Sequence, residues 1–378
     1  MAVVAVIRER RPGETRVAAT PDTVKKLAGR GLSTVVESGA GEGASIPDAE
    51  FESAGARIVP TAAEALAQAD LLLRVRSPDA EEASALRSGA MVVGLLNPFQ
   101  ERGALEGLAA RGVSAFAMEF VPRITRAQVM DALSSQANLA GYRAVIEAAE
   151  TYGRALPMMM TAAGAIAPAK VFVMGAGVAG LQAIATARRL GAVVTATDVR
   201  PAAKEQVESL GAKFVAVEDE EFKAAETAAG YAKPMSAEYQ AKQAALVSDH
   251  IRKQDIVITT ALIPGRPAPR LVSEEQVASM KPGSVIVDLA VEQGGNVAGS
   301  RADEVVMAGG VKVTGFANLP GRIAADASAL YARNLFAFVE LLLSKEGALA
   351  PDLEDEILKA ALVVQGGAIT HPSLQQAA

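Results

Sequence analysis

Lys170-Val171-Phe172-Val173-Met174-Gly175-Ala176-Gly177-Val178-Ala179-Gly180-Leu181 decides how the rest of this chain is read. An apolar run leads into three glycines at G-x-G-x-x-G spacing, and an alanine-rich helical segment follows. Eighteen residues after the last glycine, Asp198 closes a second apolar run, Val193 to Thr197. Strand, tight turn, helix, strand and acid in this order form the dinucleotide-binding fingerprint in its structural setting. Gly175 allows the sharp turn, Gly177 lets the backbone approach a pyrophosphate, and Gly180 lets the helix lie close on the strand. The helix N-terminus offers unpaired N–H groups and a positive dipole end to the phosphates. A carboxylate at Asp198 suits two ribose hydroxyls and repels a 2′-phosphate, which favours NAD(H) over NADP(H). Arg200, two residues on, is the one nearby group that would favour a 2′-phosphate.

Outward from this turn, strand and helix signals alternate. Before it come apolar segments at Ala2–Arg8, Thr34–Glu37, Arg57–Val59, Leu71–Val75, Met91–Leu96 and Ser114–Phe120, with helical stretches between them. After it come Lys213–Val217, Asp255–Thr260, Ser284–Asp288 and Val311–Gly315. Such alternation implies α/β architecture with largely parallel sheets covered on both faces. The expectation is two Rossmann-like, doubly wound domains with a cleft between them. One is discontinuous, residues 1–132 plus 322–378, and the other spans 133–321. Thr125 and Gln128 have capping-box spacing, and the sequence is helix-compatible from Ala127 to about Tyr152. The final segments, Arg322–Leu343 and Glu354–Val364, read as helices.

About forty residues separate the strand ending at Val217 from the one starting near Asp255, far more than usual in such sheets. Extra surface helices explain this stretch as well as a mobile loop over about 218–250 whose Gly230-Tyr231 tip closes over a nucleotide.

Composition narrows the chemistry. Half of the 378 residues are hydrophobic and only 4% aromatic, so the core is built from Ala, Val, Leu and Ile. A net charge of −6 disfavours nucleic acid or an anionic membrane as the main partner. With no cysteine there is no thiol nucleophile or cysteine metal site, and neither of the two histidines, His250 and His371, has metal-ligand spacing. No metal is therefore expected. The most apolar stretch, Ala155 to Ala169, is broken by Pro157 and Pro168 and is too short to span a bilayer. The cytoplasm is the expected location.

Four blocks carry a resemblance to the soluble, NAD(H)-binding alpha component (domain I) of proton-translocating nicotinamide nucleotide transhydrogenase. They are Arg123-Ile124-Thr125-Arg126-Ala127-Gln128-Val129-Met130-Asp131-Ala132-Leu133-Ser134-Ser135-Gln136-Ala137-Asn138, then Pro157-Met158-Met159-Met160-Thr161-Ala162-Ala163-Gly164, the glycine turn, and Thr259-Thr260-Ala261-Leu262-Ile263-Pro264-Gly265. The resemblance implies that NADH hands a hydride to NADP⁺ held on a partner subunit, with proton movement through a membrane-spanning subunit. It implies a homodimer, peripheral at the inner face of the membrane through its partners. It places nicotinamide positioning on Arg123, Gln128, Asp131 and Ser134. It places coenzyme binding on Gly175, Ala176, Gly177, Val178, Gly180, Asp198, Val199, Arg200, Gly230, Tyr231, Thr260, Ala261 and Leu262. Gln128, Asp131 and Ser134 are three apart, so on a continuous helix they share one face, either a solvated polar face or a row that bonds the nicotinamide. Hydride exchange between two nicotinamides needs no general acid or base, which suits a chain almost without histidine.

Alanine dehydrogenase is also similar over most of the length, including Glu14-Thr15-Arg16-Val17-Ala18. Its reaction needs a proton acceptor. Where that family has a histidine this chain has Asn97-Pro98. Where it has an aspartate the chain has Val291-Glu292-Gln293-Gly294-Gly295, and its substrate-binding lysine appears as Arg74. A non-catalytic NAD-sensing module is a further alternative. It would keep the glycine turn and Asp198 without needing the Gln128 row.

Overall fold

The computed structural model describes residues 1–223, 235–263 and 265–375. The chain divides into two compact units, Met1–Gln136 with Pro320–Ala378, and Ala137–Leu319.

In the first unit the short apolar segments become β1 (Val3–Val6), β2 (Ser33–Glu37), β3 (Arg57–Val59), β4 (Leu71–Leu73), β5 (Met91–Gly94) and β6 (Ser114–Ala117), all paired parallel in the order β6-β5-β4-β1-β2-β3. Val4, Val6, Leu71 and Phe116 of these strands pack on one face with the Ala324–Leu341 helix, while Ala5, Leu72, Val92 and Ala115 pack on the other with the Arg102–Ala110 helix. Burial on both faces explains why the strands read as unbroken apolar runs.

In the second unit β7 (Met159–Thr161) and β8 (Gly164–Ile166) form a separate hairpin. β9 (Lys170–Met174), β10 (Val193–Thr197), β11 (Lys213–Phe214), β12 (Ile256–Thr259), β13 (Val285–Asp288), β14 (Val305–Ala308) and β15 (Val311–Thr314) make a seven-stranded sheet in the order β11-β10-β9-β12-β13-β15-β14. All its pairs are parallel except β14 with β15. Strand order reverses beside β9, the position where doubly wound sheets open a crevice for ligands.

The chain's end departs from expectation. Of the expected Glu354–Val364 helix, only Glu356–Ala361 is helical. Leu362–Gln365 is β16, antiparallel to β6, and Ala368–Ile369 is β17, so the tail completes an eight-stranded sheet. Leu362-Val363-Val364 is a short apolar run with two β-branched valines, buried along the open edge of β6, a better use of its surface than another helical turn.

The long helix also starts later than its sequence spacing indicates. Thr125–Met130 is a 3₁₀ turn with no side-chain cap, and the helix runs Ala132–Tyr152. Asp131 is the reason: its Oδ1 accepts the Ser134 N–H at 2.8 Å, the bond of a helix N-cap. Thr125 therefore caps nothing, and Gln128, Asp131 and Ser134 do not share one helix face. They lie on a 3₁₀ turn, at a cap and in a first helical turn. Of the long connection after Val217, Ala237–Ile251 is an ordinary helix capped by Ser236, whereas Gly230 and Tyr231 lie outside the described residues. Among the described residues no helix is long and apolar enough to cross a membrane.

Candidate functional site

Register brings three loops to one edge of the second sheet. Thr197 and Thr259 both pair with Met174, so Asp198, Gly175 and Thr260 leave their strands side by side. Gly175 adopts φ +104°, a conformation open to glycine. A Cβ on Gly175 would strike the Thr260 hydroxyl, and one on Gly180 would fall on the Gly175 carbonyl, so both glycines serve close packing. Gly177 differs. A Cβ there meets nothing within 4 Å, so no packing inside the chain requires a glycine. Gly177 is the N-cap of the Val178–Arg189 helix and supplies no side chain to its free N–H groups. A bare backbone facing open space at an uncapped helix start fits a pyrophosphate. Gly141 lets the Ala132–Tyr152 helix lie against this one, because a Cβ there would fall on the Ala179 carbonyl.

Asp198 is engaged. Its Oδ2 accepts the Ala176 N–H at 2.7 Å and its Oδ1 the Arg200 N–H at 2.9 Å, while the Arg200 guanidinium donates to both oxygens. The Ala176 bond ties the acid to the glycine turn and sets its position. Two ribose hydroxyls would replace the guanidinium at lone pairs already oriented for donors. Val199 and Val178 are exposed apolar side chains at this edge, 65% and 39%, while Ala176 is buried. Thr260 turns inward, its hydroxyl donating to the Gly175 carbonyl at 3.1 Å. It braces the turn. Beyond it Ala261 is half-buried and Leu262 exposed.

In the first unit Arg123 and Gln128 are exposed, and neither side chain makes a hydrogen bond or ion pair among the described residues. Asp131 and Ser134 are bonded to each other, Ser134 Oγ donating to Asp131 Oδ2 at 2.6 Å. Ser135 donates to Asn334 at 2.7 Å, and Gln136 accepts from Arg16 at 2.8 Å and donates to the Ala327 carbonyl at 3.1 Å. These neighbours fasten the segment to the Ala324–Leu341 helix. Arg126 fastens it again, pairing with Asp355 at 2.7 Å.

The carboxyl ends of the first sheet hold a buried charge network: the sequence singled out Arg74, Glu14 and Arg16, but not their pairing with one another or with Glu9, Glu82 and Arg76. Arg74, Glu9 and Glu82 are all buried, with Arg74 Nη2 3.2 Å from Glu9 and 3.1 Å from Glu82. Glu14 meets Arg16 at 2.6 Å and Arg76 at 2.9 Å. Burial acts to raise the Glu14 pKa, but the two arginines overcome it and hold this carboxyl down at about 2. Glu9 is pushed up to about 6 by burial, against the pull of Arg74. Asn97 sits at φ +48° with its N–H donated to Glu119 at 2.6 Å. Among the described residues no group of three or more His, Cys, Asp or Glu could hold a metal ion.

Comparison with known proteins agrees with this geometry. Residues 5–140 match the family model for the alanine dehydrogenase/PNT N-terminal domain, and 144–372 that for its C-terminal domain. The chain is 55% identical over 377 residues to an NAD(P) transhydrogenase alpha-subunit chain of Rhodospirillum rubrum, covering 98% of both chains. It is 30% identical to alanine dehydrogenase of Halomonas elongata, over 99% of this chain and 96% of that one. The crystal structure of a transhydrogenase from Sinorhizobium meliloti superposes with a TM-score of 0.89 at 59% identity, covering 97% of this chain and all of that one. An NAD-binding, Rossmann-like oxidoreductase component is the reading common to these matches. The chain belongs to the alanine dehydrogenase/PNT family, on the side of its NAD(P) transhydrogenase alpha subunits.

Proposed function

We propose that this chain is the NAD(H)-binding component of a proton-translocating transhydrogenase. The observation that carries this reading is the bare Gly177 backbone at an uncapped helix start, with Asp198 bonded to the same turn. The Gly175–Gly180 turn takes the pyrophosphate, and Asp198 takes the adenosine ribose in exchange for its Arg200 contact. Arg123, Gln128, Asp131 and Ser134 orient the nicotinamide end, with Asp131 and Ser134 presenting a preformed hydrogen-bonded pair. When bound, NADH would supply the hydride for NADP⁺ held on a separate subunit. The residues around it position rings and exclude water; none needs to carry a proton. Proton coupling belongs to a membrane-spanning partner, through which this chain is held at the inner face of the membrane.

We infer a homodimer as well. Residues 157–167 are exposed throughout, and this uncharged stretch includes the β7–β8 hairpin, with Met158 at 64% and Met160 at 80% exposure. A second copy is the occupant that this apolar surface fits.

Amino-acid oxidation is the weaker reading. Arg74 is bound to two buried carboxylates, so it is committed where a substrate carboxylate would need it. Asn97 cannot shuttle a proton. The deciding experiment mixes the chain with a transhydrogenase NADP(H)-binding component and follows hydride exchange between nicotinamide analogues. Exchange that needs both proteins supports the proposal. Reduction of NAD⁺ by alanine with the chain alone, and no exchange in the mixture, overturns it.

A further inference from the structure

The loop leaving β12 is held by a residue outside every motif quoted above. Asn296 is fully buried, and its amide brackets a single residue: Oδ1 accepts the Ala261 N–H at 3.0 Å and Nδ2 donates to the Ala261 carbonyl at 2.9 Å. The second Nδ2 hydrogen goes to the Pro269 carbonyl at 2.8 Å. The Asn296 carbonyl accepts from Leu271 at 2.8 Å and Val272 at 3.0 Å. One buried side chain thus ties both ends of the 261–269 loop to a fixed point. That point is anchored in turn. The next residue, Val297, donates its N–H to Asp288 Oδ2 at 3.1 Å, and Asp288 Oδ1 takes the Ala290 N–H at 2.9 Å. Asp288 is fully buried at the end of β13.

The loop's place on the sheet gives the clamp a purpose. β10 carries Asp198 on one side of β9, and β12 lies on the other. A dinucleotide with its adenosine at Asp198 and its pyrophosphate at Gly177 directs its far half out over the β12 exit. There the loop presents Leu262 and Ile263, 48% and 43% exposed. A buried polar side chain fully engaged with the main chain of one loop specifies a conformation, and a preset loop need not be ordered when a ligand arrives.

We propose that Asn296 is a positioning residue for the nicotinamide half of the coenzyme. It touches no coenzyme atom; it sets the Ala261–Ile263 backbone in advance. This rests on the NAD(H) reading of the second unit.

The test compares NADH with ADP-ribose, which lacks only the nicotinamide, by calorimetry on the full chain. Asn296→Asp keeps the acceptor for Ala261 and loses both donors. Affinity for NADH should fall at least fivefold in Asn296→Asp and more in Asn296→Ala, while affinity for ADP-ribose stays within twofold. Equal loss for both ligands, or no loss for NADH, overturns the inference, since a merely structural role would not single out the nicotinamide end. Hydrogen exchange on the unaltered chain is independent of whether the variants fold. Without coenzyme the Ala261 amide should exchange at least a hundredfold more slowly than an open loop amide, and unprotected exchange overturns the inference. A chain that binds neither NADH nor ADP-ribose would instead sink the coenzyme reading and this inference with it.

Discussion

The Asp198 carboxylate holds the Arg200 guanidinium at two points, Nε to Oδ1 at 2.9 Å and Nη2 to Oδ2 at 3.0 Å. On the proposed reading, discrimination between the two coenzymes is a balance between these neighbouring opposite charges. Asp198→Ala removes the ribose acceptor and the repulsion toward a 2′-phosphate, and it leaves Arg200 beside the site. NADH affinity should fall about tenfold or more, in line with about 1.5–3 kcal/mol for a hydrogen bond to a charged group. NADPH affinity should rise or hold. Calorimetric titration with both coenzymes measures the ratio, and an unchanged preference would remove Asp198 from its assigned role.

Two glycines of the same turn should respond in opposite ways. Gly180→Ala drives a methyl into the Gly175 carbonyl, so the second unit should lose about 1–3 kcal/mol of stability. Gly177→Ala meets open space at φ −76°, and folding should change by no more than about 1 kcal/mol. Its methyl occupies the ground assigned to the pyrophosphate, so NADH affinity should drop by about an order of magnitude. Denaturant melts and titrations of both variants separate the roles; unchanged NADH affinity in Gly177→Ala would count against the pyrophosphate site.

Much of the fold was legible because its signals are local. The β9 run, its glycines and Asp198 each declare themselves within a few residues, and strands buried on both faces cannot hide their apolar character. What escaped depends on distant partners. Leu362–Gln365 becomes a strand because β6 offers an edge, and β14 carries Val305 and Met307 at 48% and 61% exposure, a pattern without a core-facing signal. Spacing alone puts Asp131 in a polar row, yet its carboxylate starts the helix by capturing Ser134. Asn296 lies just past the Val291–Gly295 stretch and belongs to no motif itself, and only the folded loop reveals its bonds.

Glu119 should give the first unit a measurable pH dependence. Burial raises its pKa to about 7, against the Leu96 and Asn97 amides and the charge of Arg76. An unfolded carboxyl titrates near 4.5. Between these values the folded chain holds a proton that the unfolded chain has released, so stability falls as pH rises from about 4.5 to about 7 and then levels off. The full effect is at most about 3 kcal/mol. Glu119→Gln should show a shallower decline in urea melts across that window, the remainder coming from Glu9, whose pKa is also raised. Identical slopes in the two proteins would mean that Glu119 is already ionised at pH 5.

Gln128 and Asp131 divide the proposed nicotinamide site into a free group and a structural one. The Gln128 side chain is exposed and bonded to nothing among the described residues, so Gln128→Asn should leave stability unchanged. Shortening it by one methylene moves its amide away from a ring that must be held to a fraction of an ångström. Hydride exchange in the mixed assay should slow tenfold or more, while NADH affinity stays within about twofold. Asp131→Ala removes the cap of the Ala132–Tyr152 helix and leaves the Ser134 hydroxyl without its acceptor, so it should lose both exchange and about 0.5–2 kcal/mol of stability. If Gln128→Asn weakens NADH as much as it slows exchange, that side chain binds coenzyme in the ground state and does not orient it for transfer. The positioning role would then rest on the Asp131–Ser134 pair and Arg123.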